Sequence, residues 1–243
     1  MEKLTYKELL DAGVHFGHLK RKWNPKMQPY IFTEHKGIHI IDLNRTTESL
    51  ERSANAMRQI AKSGRKIMFV ATKKQARDIV QKAALSVGMP FVTERWLGGM
   101  MTNFSTVRKS VKKMQTIDSR LNDPTNTSIT KKERQMMGRE RDRIEKILGG
   151  IANLNRLPAA VFLVDIGHEH LALQESKKLG LRTFAMVDTN CDPNTVDFAI
   201  PSNDDASKSI SVITNYLVEA IRMGLEDRNK ADRKSTRLNS SHG

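Results

Sequence analysis

The sequence predicts an α/β protein: a doubly wound parallel sheet carrying an inserted helical coiled-coil hairpin. Three observations lead there. Apolar runs at 66–71, 159–165 and 183–188 have the continuous hydrophobicity of parallel strands covered on both faces. Segments of helical period alternate with them. Between residues 104 and 148 that alternation stops, and two helical stretches joined by a turn replace it.

The elements follow in order. Thr5 is a candidate N-cap for a short helix that Gly13 ends. Residues 14–37 have neither strand nor helix period and are broken by Pro25 and Pro29, so they read as a basic N-terminal loop. Ile38–Asp42 reads as a short strand. Asn44–Ala61 reads as an amphipathic helix with Leu50, Ala54, Met57 and Ile60 on one side. After the strand Lys66–Ala71, Thr72 is placed to cap a helix from Lys74 to Val87. Its N–H groups, with Lys73 and Lys74, would suit an anion. Pro90–Thr93 is the next strand.

The stretch Arg95-Trp-Leu-Gly-Gly-Met-Met-Thr-Asn-Phe104 joins this body to the hairpin. Two glycines beside a tryptophan suit a tight turn, and on this reading Gly98→Val misplaces the hairpin. Val107, Val111, Met114 and Leu121 keep helical spacing, Asn122–Asn126 is a turn, and Met137, Ile144, Ile147 and Ile151 resume the spacing. Helices of this length joined so briefly should pack antiparallel. Then come the strand Ala159–Asp165, a helix from about His168 to Leu179, and the strands Thr183–Asp188 and Phe198–Pro201. A last helix, capped by Asn203-Asp204-Asp205, runs to about Met223.

The organisation expected is one α/β domain over residues 1–231, containing the basic loop 14–37 and the hairpin 104–148. Residues 232–243 resemble a reading frame of a sequencing-adapter oligonucleotide and are expected to be a non-native, unordered tail.

Lys and Arg number 41 against 27 acids, a formal charge of +14. Such an excess calls for a polyanion, most commonly nucleic acid. The tail carries three basic residues and one acid, so the rest keeps 14 − 2 = +12. A membrane surface is the other polyanion, but no apolar run approaches the roughly 20 residues of a spanning helix. The single cysteine, Cys191, excludes an internal disulfide. Aromatic residues are 5% of the chain, too few for binding single strands chiefly by stacking. Neither G-x-G-x-x-G nor G-x-x-x-x-G-K-[ST] occurs, so the usual nucleotide loops are missing.

Two regions carry the basic charge. Lys20, Arg21, Lys22, Trp23 and Lys26 mix cations with an aromatic ring, a combination that contacts phosphates and stacks on bases. Residues 104–148 hold twelve Lys/Arg and six Asp/Glu, including Arg108, Lys109, Lys112, Lys113, Lys131 and Lys132. Lys73, Lys74 and Arg95 complete the candidate RNA contacts. Asp165, His168, His170, Asp188, Asp192, Asp204 and Asp205 fall at or beyond strand C-termini, where α/β proteins place ligands. They match no catalytic or metal spacing, and His15 and His18 lack cysteine or acidic neighbours in sequence. No metal ligand or cofactor is therefore assigned, although an ion or a basic partner could use the acidic corner.

Gly13-Val-His-Phe-Gly-His18, Trp23-Asn-Pro-Lys-Met27, Arg95-Trp-Leu-Gly-Gly-Met100, Thr102-Asn103 and Val187-Asp-Thr-Asn-Cys-Asp-Pro193 resemble, in order, the bacterial small-subunit ribosomal protein S-two family. The resemblance spans about Lys3 to Leu225. It implies a flavodoxin-like domain with an inserted hairpin, in the cytoplasm, on the solvent side of the small ribosomal subunit against its rRNA. It also implies neighbouring ribosomal proteins as partners, including docking of ribosomal protein S-one, and no enzymatic activity, membrane or small-molecule substrate. On the residues alone, Asp188, Asp204 and Asp205 are the candidates for a protein contact. A nucleotide- or sugar-phosphate-binding enzyme on the same fold is the alternative reading.

Overall fold

Thr5 caps the first helix as its sequence promises. In the computed structural model, which describes residues 4–123 and 130–240, Thr5 and Glu8 form a reciprocal capping box at the start of α1 (Tyr6–Asp11). The chain then folds into β1 (Phe16–Leu19), β2 (Ile31–His35) and β3 (Ile38–Ile41), a small antiparallel sheet with β3 in the middle. The loop expected over 14–37 is thus partly strand. Its strands are short and interrupted by 3-10 turns at Lys20–Lys22 and Pro25–Tyr30, so neither shows a period in sequence.

The body follows as α2 (Leu43–Lys62), β4 (Ile67–Val70), α3 (Arg77–Ser86) and β5 (Phe91–Val92). The hairpin helices are α4 (Phe104–Asn122) and α5 (Lys131–Leu148). The chain returns through β6 (Ala160–Val164), α6 (His170–Lys178), β7 (Arg182–Val187), β8 (Phe198–Pro201) and α7 (Ser207–Ser240). The five later strands pair in parallel in the order β5-β4-β6-β7-β8. Renumbered within that sheet, this is 2-1-3-4-5, the flavodoxin-like doubly wound order.

Alternate residues of each strand serve two cores. Phe69, Phe162, Phe184 and Ile200 face α2, α3 and α7, whereas Val70, Val161, Leu163 and Ala185 face α6, Trp96 and the root of the hairpin. Both faces are covered, which is why β4 and β6 read as unbroken apolar runs.

The hairpin helices run antiparallel: Lys113 pairs with Glu140, Arg141 with Asp118, and Arg134 reaches the carbonyl of Leu121. The turn expected at Asn122–Asn126 lies largely outside the described residues.

Two boundaries differ from the sequence reading. Helix α3 starts at Arg77 and has no side-chain cap, because Thr72 is used elsewhere. Helix α7 continues past Met223 to Ser240, including most of the segment expected to be unordered. Beyond Gly224 that segment has no proline or glycine up to Ser240, so nothing in it stops a helix once α2 supports its start. Arg58 of α2 holds Asp227 at 2.7 Å, and Gly224 lets the two helices cross: a Cβ there would meet the Arg58 carbonyl.

Candidate functional site

The turn before the hairpin is built around one carboxylate. Glu175, on α6, accepts from the Trp96 indole at 3.1 Å and from the backbone N–H groups of Gly99, Met101 and Thr102 at 2.7–3.0 Å, and from the Thr102 hydroxyl at 3.1 Å. Burial pushes Glu175 up, but the donors from Thr102, Met101, Trp96 and Gly99 outweigh it and hold the group below the usual carboxylate range. Charge-assisted bonds of this kind fix the turn to the body. Nothing in the sequence pairs residue 175 with this turn.

Of the two glycines, only Gly99 is needed for conformation. Its φ is +87° and a Cβ would press on Asn103 at 3.3 Å, whereas Gly98 has open space around it. The expectation that Gly98→Val misplaces the hairpin is therefore corrected: the constrained position is Gly99.

Arg108 fastens the hairpin root. Its guanidinium donates to the carbonyls of Ala152 and Leu154 and to Asn155 Oδ1. It is half-buried, so it positions the hairpin more than it presents charge. Further out, Lys109, Lys112, Lys131 and Lys132 are exposed and have no carboxylate partner among the described residues. Lys113 is exposed but paired with Glu140.

In the N-terminal region Arg21 and Lys22 are exposed and unpaired among the described residues, while Lys20 pairs with Glu34 and Lys26 with Asp192, both at 2.6 Å. Exposed pairs are worth little, so a phosphate can replace either carboxylate. Trp23 is half-buried with its ring 5.1 Å from that of His39, leaving only part of it for a base. Lys74 and Arg95 are exposed and unpaired among the described residues.

Lys73 is not an anion site. Its ammonium lies 2.6–2.8 Å from Asp165, Asp204 and Asp205. The Thr72 N–H and hydroxyl both donate to Glu169. Thr72–Lys73 and Asp165 follow β4 and β6, the switch point at which flavodoxin-like sheets bind ligands. Here the protein's own side chains fill it.

Around this plug the acidic corner closes. His18 Nδ1 lies 3.1 Å from Asp188 and its Nε2 3.4 Å from Asp205. The bond to Asp188 raises the His18 pKa against the opposing effect of burial. Burial, with Asp165 and Asp188 nearby, pushes Asp204 up to about 7. Asp188 and Asp204 are buried, so of the three residues expected to meet a partner only Asp205 reaches solvent. Nor does Asp204 cap α7: the Asn203 side chain accepts from the N–H groups of Asp205 and Ala206 and so shapes the turn that leads into the helix at Ser207. The ligand atoms of His18, Asp188 and Asp204 lie within 4.8 Å of one another, a nitrogen-and-two-carboxylate set that could hold a divalent cation. Sequence spacing could not find it, because the residues come from three distant segments.

A topology with a plugged ligand site and a charged helical pair leaves kinship to decide. The family model of ribosomal protein S2 matches residues 9–224. The chain belongs to the ribosomal protein S2 family. It is 58% identical over 226 residues to small ribosomal subunit protein uS2 of Cytophaga hutchinsonii, covering 93% of this chain and 87% of that protein. The same-named protein of Flavobacterium johnsoniae is 56% identical over 93% of the chain and 89% of its own length. That of Phocaeicola vulgatus is 53% identical over 100% and 88%. The S2 family is one of ribonucleoprotein components that act in translation in the cytoplasm, and membership makes this chain a small-subunit ribosomal protein.

Proposed function

We propose that this chain is a structural, non-enzymatic component that binds small-subunit rRNA through its hairpin and its N-terminal basic region. The observation that carries the reading is the exposed set Lys109, Lys112, Lys131 and Lys132 on two helices that pack mainly against each other, with no carboxylate partner among the described residues. Charge so placed is suited to a phosphate backbone. Neighbouring ribosomal proteins are its other partners, and the acidic corner, through Asp205 and the edge of His18, is our candidate for docking ribosomal protein S-one.

The enzyme alternative has little to stand on. The donors that would cradle a phosphate at the switch point are bound to Glu169, and the lysine there is bound to three aspartates.

Sedimentation of the tagged protein in a cell lysate tests the reading. Co-migration with small ribosomal subunits is the expected result. Protein remaining free with a bound nucleotide would favour the enzyme.

A further inference from the structure

At the opposite, N-terminal edge of the sheet lies a cavity of about 880 Å³. It opens between the starts of β4, β5 and β6 and the segment that leads out of α5. Its volume is within the range of small-molecule sites, roughly 300–1,000 Å³. The lining divides into three kinds of group. Met89, Pro90, Phe91 and Leu157 supply apolar surface, and Leu157 is 39% exposed. Asn153 and Asn155 bring amides. Asn155 Oδ1 is taken by Arg108, which leaves its NH₂ available, and Asn153 has no side-chain partner among the described residues. Arg65, Lys66 and Arg156 bring cations, and the lining contains no aspartate or glutamate.

We propose that this cavity receives one unpaired nucleotide of the bound RNA. The inference rests on the rRNA-binding reading above and adds to it a second mode of contact. Apolar walls suit the face of an unstacked base, amides suit its hydrogen-bonding edge, and the cations suit the flanking phosphates. Arg156 is exposed and has no protein partner among the described residues, so it is available to a phosphate. The site is continuous with the proposed RNA surface: Arg108 at the base of α4 donates to Asn155 in the cavity wall. The root of the hairpin and the cavity wall are thus held together by one side chain. The phosphate contacts hold any sequence, whereas this cavity demands a nucleotide that is out of its helix.

Full-length protein is titrated with in vitro transcribed small-subunit rRNA across a range of salt. The variants are Leu157→Trp, which fills the cavity without altering charge, Arg65→Ala/Arg156→Ala, and Lys109→Ala/Lys112→Ala/Lys131→Ala/Lys132→Ala. Leu157→Trp should bind roughly tenfold more weakly with an unchanged salt slope, because no phosphate contact is lost. The double arginine variant should lose affinity and flatten the slope by roughly 1.4–1.8, two contacts' worth. Circular dichroism confirms folding, and rRNA carrying 4-thiouridine should cross-link to residues 149–159 of the wild type. If Leu157→Trp and the arginine variant bind like wild type while the hairpin variant fails, the cavity holds no nucleotide although the rRNA-binding reading stands. If wild type itself does not bind the rRNA, both readings fall. Cross-linking of residues 149–159 in assembled subunits to a neighbouring protein and not to rRNA would also overturn the inference.

Discussion

The Trp96 indole donates to Glu175 at 3.1 Å, tying the turn that launches the hairpin to a helix 79 residues further along the chain. Three backbone N–H groups and a hydroxyl from the same turn share that carboxylate. Glu175→Ala leaves these donors without an acceptor. Because the site is only partly buried, water takes up some of them, and the expected loss is about 1–3 kcal/mol. Urea denaturation measures it; an unshifted midpoint would contradict the role given to Glu175.

The same carboxylate makes a pH prediction. Its folded pKa lies below the ordinary value of 4.5, through the balance of burial and hydrogen bonds already described. Ionised Glu175 therefore stabilises the fold above that value, and the contribution disappears as pH falls through the lower, folded pKa. The stability difference between wild type and Glu175→Gln should narrow below about pH 4.5. A gap that widens on acidification would refute the assignment.

Adjacent glycines should behave differently. Gly99→Val forces a β-branched residue to a φ of +87°, with an expected cost of about 1–2 kcal/mol or more and impaired RNA binding. Gly98→Ala meets open space and should stay within about 0.5 kcal/mol of wild type. Thermal melts of both variants provide the comparison, and equal losses would be inconsistent with the turn geometry.

At the switch point, removing the cation is the informative change. Lys73→Met removes the ammonium that bridges the buried Asp204 to Asp165, which should destabilise the fold by about 3–5 kcal/mol. RNA affinity, measured below the variant's melting temperature, should not change. Weaker RNA binding in a fully folded variant would return Lys73 to the interface.

These cases show what the sequence made legible. The long apolar runs of β4, β6 and β7 announced a two-sided parallel sheet, and the hairpin's charge was readable as an excess of Lys and Arg. The small sheet was not readable. Its β2–β3 turn places Lys36 and Gly37 at positive φ, but Lys-Gly is a weaker hairpin signal than Asn-Gly, and the strands are four or five residues long. The anion-site expectation for Lys73 fails for a different reason. A lysine after a strand looks the same in sequence whether it meets a phosphate or, as here, aspartates contributed from residues 165, 204 and 205. Long-range ion pairs have no local signature.

The end of α7 carries its own prediction. Residues 232–243 are proposed to add nothing to the domain, since the anchoring contact to α2 is made earlier, by Asp227. Truncation after Ala231 should leave the thermal midpoint unchanged. A drop of several degrees would mean that the added helical turns stabilise the fold.

Affinity for rRNA is proposed to come chiefly from phosphate neutralisation by the hairpin and the N-terminal basic region. The most direct test is the salt dependence of binding between the purified chain and small-subunit rRNA. Each neutralised phosphate contributes roughly −0.7 to −0.9 to the log–log slope, so about six engaged side chains give a slope near −5. Converting Lys109, Lys112, Lys131 and Lys132 to alanine should flatten it by about 3. A wild-type slope near −1, or a slope unaffected by those four changes, would contradict the account.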